Sequence, residues 1–186
     1  MEMLPIYILI GVVVLIVLWA FAAYNGLIRL RNEAENSWAQ IDVQLKRRHD
    51  LIPNLVETAK GYMKHERETL ENVTKARNLA VGVKGIGETG KVESALSGAL
   101  ANLFAVAENY PDLKANQNFL ALQEELTSTE NKIAFSRQYY NDTVMRFNTR
   151  IETVPTNIIA NMGHFTKKEF FVLEDKAQRE APKVSF

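Results

Sequence analysis

The sequence predicts an all-α protein: one membrane-spanning helix at the N-terminus, followed by a single helical domain. Three observations carry this. Leu4 to Ala23, LPIYILIGVVVLIVLWAFAA, is twenty residues without a charge. Prolines and glycines are few, five and nine, and four of the glycines fall between Gly82 and Gly90. Beyond the apolar run, hydrophobic residues recur in steps of three and four, the period of an amphipathic helix.

At about 1.5 Å per residue the apolar run spans roughly 30 Å, the thickness of a bilayer's hydrocarbon core. Hydrocarbon offers no partner to a backbone amide, so a run of this length crosses as a helix. Tyr7 and Trp19 lie near its two ends, where amphipathic rings favour the interface. A core helix of a soluble protein would carry a polar face, and this run has none. Ala20-Phe21-Ala22 resembles a signal-peptidase site, but the acidic start Met1-Glu2-Met3 and the length of the run favour an uncleaved anchor. Basic residues come after the span, at Arg29 and Arg31 and then at Lys46, Arg47 and Arg48. The positive-inside rule therefore puts residues 1–3 outside and the body in the cytoplasm. The absence of cysteine suits a reducing compartment.

The first amphipathic stripe runs Leu27, Leu30, Ala34, Trp38, Ile41, Leu45 and continues the anchor with only Gly26 between. Asp50 and Pro53 then interrupt, as an N-cap and a first-turn proline would. Ile41, Leu45, Arg48, Ile52, Leu55 and Ala59 nevertheless stay in phase across the proline, as one kinked helix would. A rod from Tyr24 to Ala80 would be about 85 Å long, with nothing else in the chain able to cover its stripe. A reversal near Asp50 is therefore the expectation. Gly82–Gly90, GVKGIGETG, reads as a loop, and Val92 to Val106 as a third helix. Asn109-Tyr110-Pro111-Asp112 stops it, because proline disfavours helix at the preceding residue. The longest stripe follows, from Ala115 through Phe119, Leu126, Ile133, Tyr140 and Phe147 to Ile151. Pro155 ends it or opens a short helix through Asn161, with Gly163 a natural stop. From Glu174 a charged, mobile tail is expected.

Four blocks resemble the bacterial LemA family: Trp38–Tyr62 (WAQIDVQLKRRHDLIPNLVETAKGY), Glu108–Phe119 (ENYPDLKANQNF), Leu126–Asn141 (LTSTENKIAFSRQYYN) and Phe147–Ala160 (FNTRIETVPTNIIA). The resemblance covers nearly the whole chain. It implies a membrane anchor at 4–23, an up-and-down antiparallel four-helix bundle at 24–161 and a tail at 162–186. It also implies a place in the inner membrane of a bacterial cell, and it carries no established activity. One branch of the family is associated with magnetosome membranes.

Motifs for chemistry are thin. Gly85–Lys91, GIGETGK, fits two nucleotide-loop patterns, but Val92 stands where the phosphate-binding loop needs Ser or Thr, and no strand precedes it. No nucleotide or other cofactor is expected. His49, His65 and His164 are the only histidines; in H-E-x-x-H register Thr69 replaces the second, and surface positions and no metal are expected. Glu66, Glu68, Glu71, Glu124, Glu125 and Glu130 fall off the apolar stripes, as solvated faces do, so no catalytic residue is assigned. With 22 basic and 22 acidic side chains, no overall field draws the chain to nucleic acid. Tyr139, Tyr140, Asn141 and Asn148 suit hydrogen bonds between helices.

The reading is a membrane-anchored scaffold or adaptor that offers a bundle to a membrane or cytoplasmic protein. Alternatives are membrane organisation by self-association, as a homo-oligomer through the bundle, and an enzyme with an unrecognised site. A reversal at Asp50 would bring the turns at Arg47–Asn54 and Glu108–Asp112 to the end far from the membrane. Arg47, Arg48, His49, Asp50, Asn54, Glu108, Tyr110 and Asp112 would gather there as a partner-binding tip.

Overall fold

The computed structural model describes residues 3–173. Those residues are helical nearly throughout, with no strand, in the order α1 (Leu4–Lys60), α2 (Arg67–Gly82), α3 (Ile86–Ala107), α4 (Pro111–Lys114), α5 (Gln117–Glu152) and α6 (Thr156–Met162). The tail expected from Glu174 and the outward placement of Glu2 lie outside the described residues.

The apolar run opens α1, and only 6% of its most apolar window is buried within the protein. A core helix would be covered. This one is long and apolar enough to cross a membrane.

The expected reversal at Asp50 does not occur, because α1 passes through Pro53 without a break and ends at Lys60. Proline inside a helix has no N–H for the carbonyl four residues back, here that of His49. The side chain of Arg77, from α2, donates from Nε to that carbonyl at 3.1 Å. A group that the proline leaves unpaired thus finds a charged donor. The phase of Ile41, Leu45, Arg48, Ile52, Leu55 and Ala59 across the proline was the correct signal: all six are buried. The chain turns instead at Gly61–Glu66, where the Tyr62 and Met63 amides both bond to the Ala59 carbonyl at 3.0 and 2.9 Å. From there α2 runs back until Arg77 stands beside His49.

The glycine loop is shorter than expected. Gly82 is still in α2, and α3 begins at Ile86 rather than at Val92, leaving 83–85 as the connection. Gly85 holds φ at +116°, a conformation that glycine adopts without a steric clash. Gly90 lies inside α3, where a Cβ would come within 2.1 Å of the Val172 carbonyl oxygen. Two of these glycines therefore serve a turn and a close packing contact.

At the other break Pro111 opens the short α4, and Asn116 precedes α5. The Asn116 side-chain oxygen accepts from the Phe119 amide at 3.0 Å, satisfying one of the free donors of a helix start. The long stripe then gives α5 almost residue for residue, and α6 stops before Gly163 as expected.

The contacts divide the chain into two compact units. The first comprises residues 3–39 and 138–169. Leu27, Phe147, Ile151 and Ala160 form its core, with Leu30, Ile159 and Phe165 against them. The Phe165 ring meets Tyr24 and Phe147 edge-on, at 5.7 and 6.3 Å, with the Arg31 guanidinium over its face. Asn148 clamps the chain after α6: its amide donates to the Lys168 carbonyl and accepts from the Lys168 N–H, both at 2.9 Å. Trp38, expected in the core, is half-buried and packs on the Tyr140 ring at 5.5 Å.

The second unit comprises residues 40–137 and 170–173. Its core draws on four helices: Ile52, Leu55 and Ala59 of α1, Leu70 and Val73 of α2, Leu96, Leu100 and Leu103 of α3, and Phe119 and Leu126 of α5.

Candidate functional site

Two arrangements in the second unit bring polar side chains together. One is buried. Arg48 falls on the apolar stripe of α1 and Glu93 on that of α3, four residues from Thr89 and three from Leu96, so both point into the core. Arg48 donates through Nη1 to the Glu93 carboxylate at 3.1 Å and through Nη2 to Ser97 Oγ at 2.8 Å. The same nitrogen lies 2.9 Å from Glu130 on α5. Glu93 Oε1 is 2.6 Å from His49 Nε2. The Arg48 and Glu93 side chains are 4% and 2% exposed.

Two charges leave water here; Arg48 regains hydrogen bonds from groups on α3 and α5, and Glu93 from two groups on α1. A guanidinium held by two carboxylates and a hydroxyl has a fixed geometry. It links α1, α3 and α5 at one level. Glu93 was missed in the sequence, although its position on the Leu96–Leu100–Leu103 phase was the available signal. His49 corrects the expectation of three surface histidines: it is buried, because it neighbours Arg48 on the inner face.

The other arrangement is at the turn end. Tyr110 Oη donates to Glu66 at 3.0 Å, and Asn116 Nδ2 donates to Tyr62 Oη at 3.0 Å. The α1–α2 turn and the connection from α3 to α5 therefore share one end of the unit. Tyr110 titrates higher than an ordinary tyrosine, from burial and from the Glu66 carboxylate beside it. Glu108 pairs with Lys114, and Asp112 is exposed.

The eight residues expected at one tip are thus divided. Glu108, Tyr110 and Asp112 are at the turn end. Arg47 is further down α1, paired with Glu125 of α5, and Arg48 and His49 are in the core. Asp50 and Asn54 are exposed on the helix. The separation has one cause: α1 continues past Pro53, which moves the turn on to Gly61–Glu66.

Beside that turn, α1 and α2 enclose a cleft of about 630 Å³. Val56, Met63 and Leu70 form its apolar floor, and Lys60, Lys64, Arg67 and Lys75 stand at its rim with Glu57 and Glu71. The Arg67–Glu71 pair, 2.6 Å apart, lowers the Glu71 carboxyl below its ordinary range through the hydrogen bond and the charge. Among the described residues no group of three or more His, Cys, Asp or Glu is placed to hold a metal ion.

The polar residues of α5 make contacts of the expected kind. Tyr139 and Arg146 both donate to Glu33 of α1, at 2.9 and 3.0 Å. Tyr140 donates to the Glu169 carbonyl at 2.8 Å.

Comparison with known proteins gives a consistent picture. The sequence profile of the LemA family matches residues 37–186. Protein LemA of Metamycoplasma hominis is 32% identical over 141 residues, which is 73% of this chain and 63% of that relative. Magnetosome protein MamQ 2 of Paramagnetospirillum magneticum is 23% identical over 191 residues, covering 87% of this chain and 68% of its own length. Magnetosome protein MamQ of Magnetospirillum gryphiswaldense is 21% identical over 174 residues, covering 80% and 64%. This chain therefore spans about two thirds of the length of the relatives it matches, and slightly less in two of these three.

Proposed function

From the premise that this chain belongs to the LemA family, we propose that it is a membrane-anchored scaffold, without catalytic activity, that presents a helical body to a protein partner. The observation that carries the reading is the apolar stretch of α1: from Leu4 to Phe21 its large apolar side chains are exposed. A bilayer is the environment that removes this area from water. Arg29 and Arg31 follow the stretch, which favours the body on the cytoplasmic side of the bacterial inner membrane.

The body is an up-and-down four-helix bundle, and its turn end is the surface offered to the partner. Glu108, Tyr110 and Asp112 stay in that role, joined now by Tyr62, Lys64 and Glu66. Support comes from the cross-links Tyr110–Glu66 and Asn116–Tyr62, which hold two connections in one arrangement before any partner arrives. A surface fixed in advance loses less entropy on binding. The partner is a protein of the membrane or of the cytoplasm.

Two measurements test this. A reporter fused after Phe186 is active in its cytoplasmic form; activity of an extracytoplasmic reporter there refutes the orientation. A photo-crosslinking residue at Lys64 or Asp112 captures one discrete protein in intact cells, whereas the same residue at exposed Ala101 on α3 does not. Equal capture at all three positions refutes the turn end as the binding surface.

A further inference from the structure

From Thr153 to Thr166 the chain carries no Asp, Glu, Lys or Arg, and α6 within this stretch is apolar on two sides. Ala160 and Ile159 belong to the core of the first unit, and Thr156 is buried with them. On the outer side Ile158 is 57% exposed and Met162 74%, with Val154, 73% exposed, just ahead of the helix. These three are spaced by four, so they line up on one side. A helix side turned to water ordinarily carries charge, and this one carries none. We propose that α6 is a second membrane contact, whose outer side lies in the headgroup layer of the bilayer. The inference rests on the reading of α1 as an anchor and adds a surface through which the helical body itself meets lipid.

The level of α6 along α1 decides what covers this side, and both lie in the first unit. A Cβ on Gly163, at the end of α6, would come 3.1 Å from the Tyr24 ring. Phe165 meets the same ring edge-on at 5.7 Å, and Ala160 shares a core with Leu27. The helix therefore packs on α1 at Tyr24 and Leu27, within about 6 Å of rise after Ala23, the last residue of the apolar run. The headgroup layer is roughly 5–8 Å deep on each side of the hydrocarbon. Ala23 itself is only 5% exposed, so the unit already overlaps the end of the run.

Charge marks the same boundary. The first charged residues of α1 after the run are Arg29 and Arg31, about 9–12 Å beyond Ala23, where the headgroup layer gives way to water. Between the run and these arginines, α6 adds apolar side chains and the amides of Asn157 and Asn161, groups that suit an interface of mixed polarity. Lipid surrounds every copy at this level, whereas a protein cover would need a partner lying in the membrane plane. Three side chains add little to the hold of a spanning helix. Their effect is on posture: a second contact beside the anchor fixes the tilt of the first unit against the membrane.

The test uses the full chain in vesicles of phosphatidylcholine and phosphatidylglycerol, and the absence of cysteine makes single-cysteine variants clean reporters. A polarity-sensitive fluorophore is attached at Ile158→Cys, Met162→Cys, Leu15→Cys or Ala101→Cys, all exposed positions that tolerate the change. Lipid carrying a doxyl quencher on its acyl chain quenches the label at Ile158 and Met162. Emission there shifts to the blue on reconstitution, and quenching by iodide in the buffer is lost. The label at Ala101 behaves in the opposite way, and that at Leu15 reports the anchor. Absence of lipid quenching at Leu15 overturns the anchor, and this contact with it. Lipid quenching at Leu15, with iodide reaching Ile158 and Met162 as freely as Ala101, overturns this contact alone. Shielding of Ile158 and Met162 from both quenchers puts protein over α6 and overturns it equally.

Discussion

Pro53 survives inside α1 because a side chain from another helix replaces the hydrogen bond that proline removes, and this can be measured as a coupling. Arg77→Met keeps the packing of the side-chain stem but takes its charged donor from the His49 carbonyl, now 3.1 Å away. His49 is buried, so that carbonyl has little access to water. A hydrogen bond from a charged group is worth about 1.5–3 kcal/mol, and a buried acceptor left alone costs about 1–3 kcal/mol. The substitution should therefore destabilise the second unit by about 2 kcal/mol, which is roughly 4–8 °C in melting temperature for a chain of this size. Pro53→Ala supplies the missing N–H. By itself it changes stability little, since the new bond is offset by the greater freedom of the unfolded chain. In that background, however, the carbonyl has a helical partner, and Arg77→Met should cost about 1 kcal/mol or less. The expected coupling of at least about 1 kcal/mol lies above the roughly 0.3–0.5 kcal/mol within which independent changes add. Hydrogen exchange read by mass spectrometry over residues 40–60 and 67–82, in detergent micelles, isolates this unit from the N-terminal apolar stretch. Equal costs of Arg77→Met in the two backgrounds would refute the account.

Three further outcomes follow from the geometry. Glu93→Gln, which removes the carboxylate shared by Arg48 and His49, should destabilise the second unit by about 3 kcal/mol, the low end for a broken buried pair because Glu130 still holds Arg48. Arg48→Met with Glu93→Leu should recover most of that loss in hydrogen-exchange stability, and a double variant as unstable as the single would contradict the pair's role. Gly90→Ala forces a Cβ against the Val172 backbone and should cost about 1–3 kcal/mol, exposing Phe171 to exchange and proteolysis. Gly98→Ala on the same helix meets nothing within 4 Å and should stabilise by about 0.5–1 kcal/mol in thermal unfolding. Tyr140 is pushed up to about 12 by burial and by the Glu169 charge. Its neutral form stabilises the fold fully below the unfolded value near 10, and that contribution is lost as pH rises through about 12. Absorbance at 295 nm should show a tyrosine titrating near 12 that Tyr140→Phe removes.

The sequence by itself determined every feature that depends on the period of one helix. Twenty uncharged residues sufficed to place a helix long and apolar enough to cross a membrane, because hydrocarbon leaves a backbone only one way to satisfy its amides. The stripe through Phe119, Leu126, Ile133, Tyr140 and Phe147 located α5 and its buried side, since side chains three and four apart share a face whatever packs on it. It also held Arg48 and Glu93 in buried phases, although a charge at such a position is ambiguous until its partner is known. Tertiary structure decided the rest. Asp50 and Pro53 have the local chemistry of a helix start, and only Arg77, 28 residues away in the chain, makes a continuous helix the better solution. Gly90 reads as part of a glycine-rich loop until Val172 is seen to need its missing side chain. Arg48 and Tyr110 looked like neighbours because the turn was placed at Asp50. Moving it to Gly61 sent one into the core beside Glu93 and left the other at the turn end of the second unit beside Glu66. In each case the deciding partner is remote in sequence, and a pattern of period 3.6 carries no information about it.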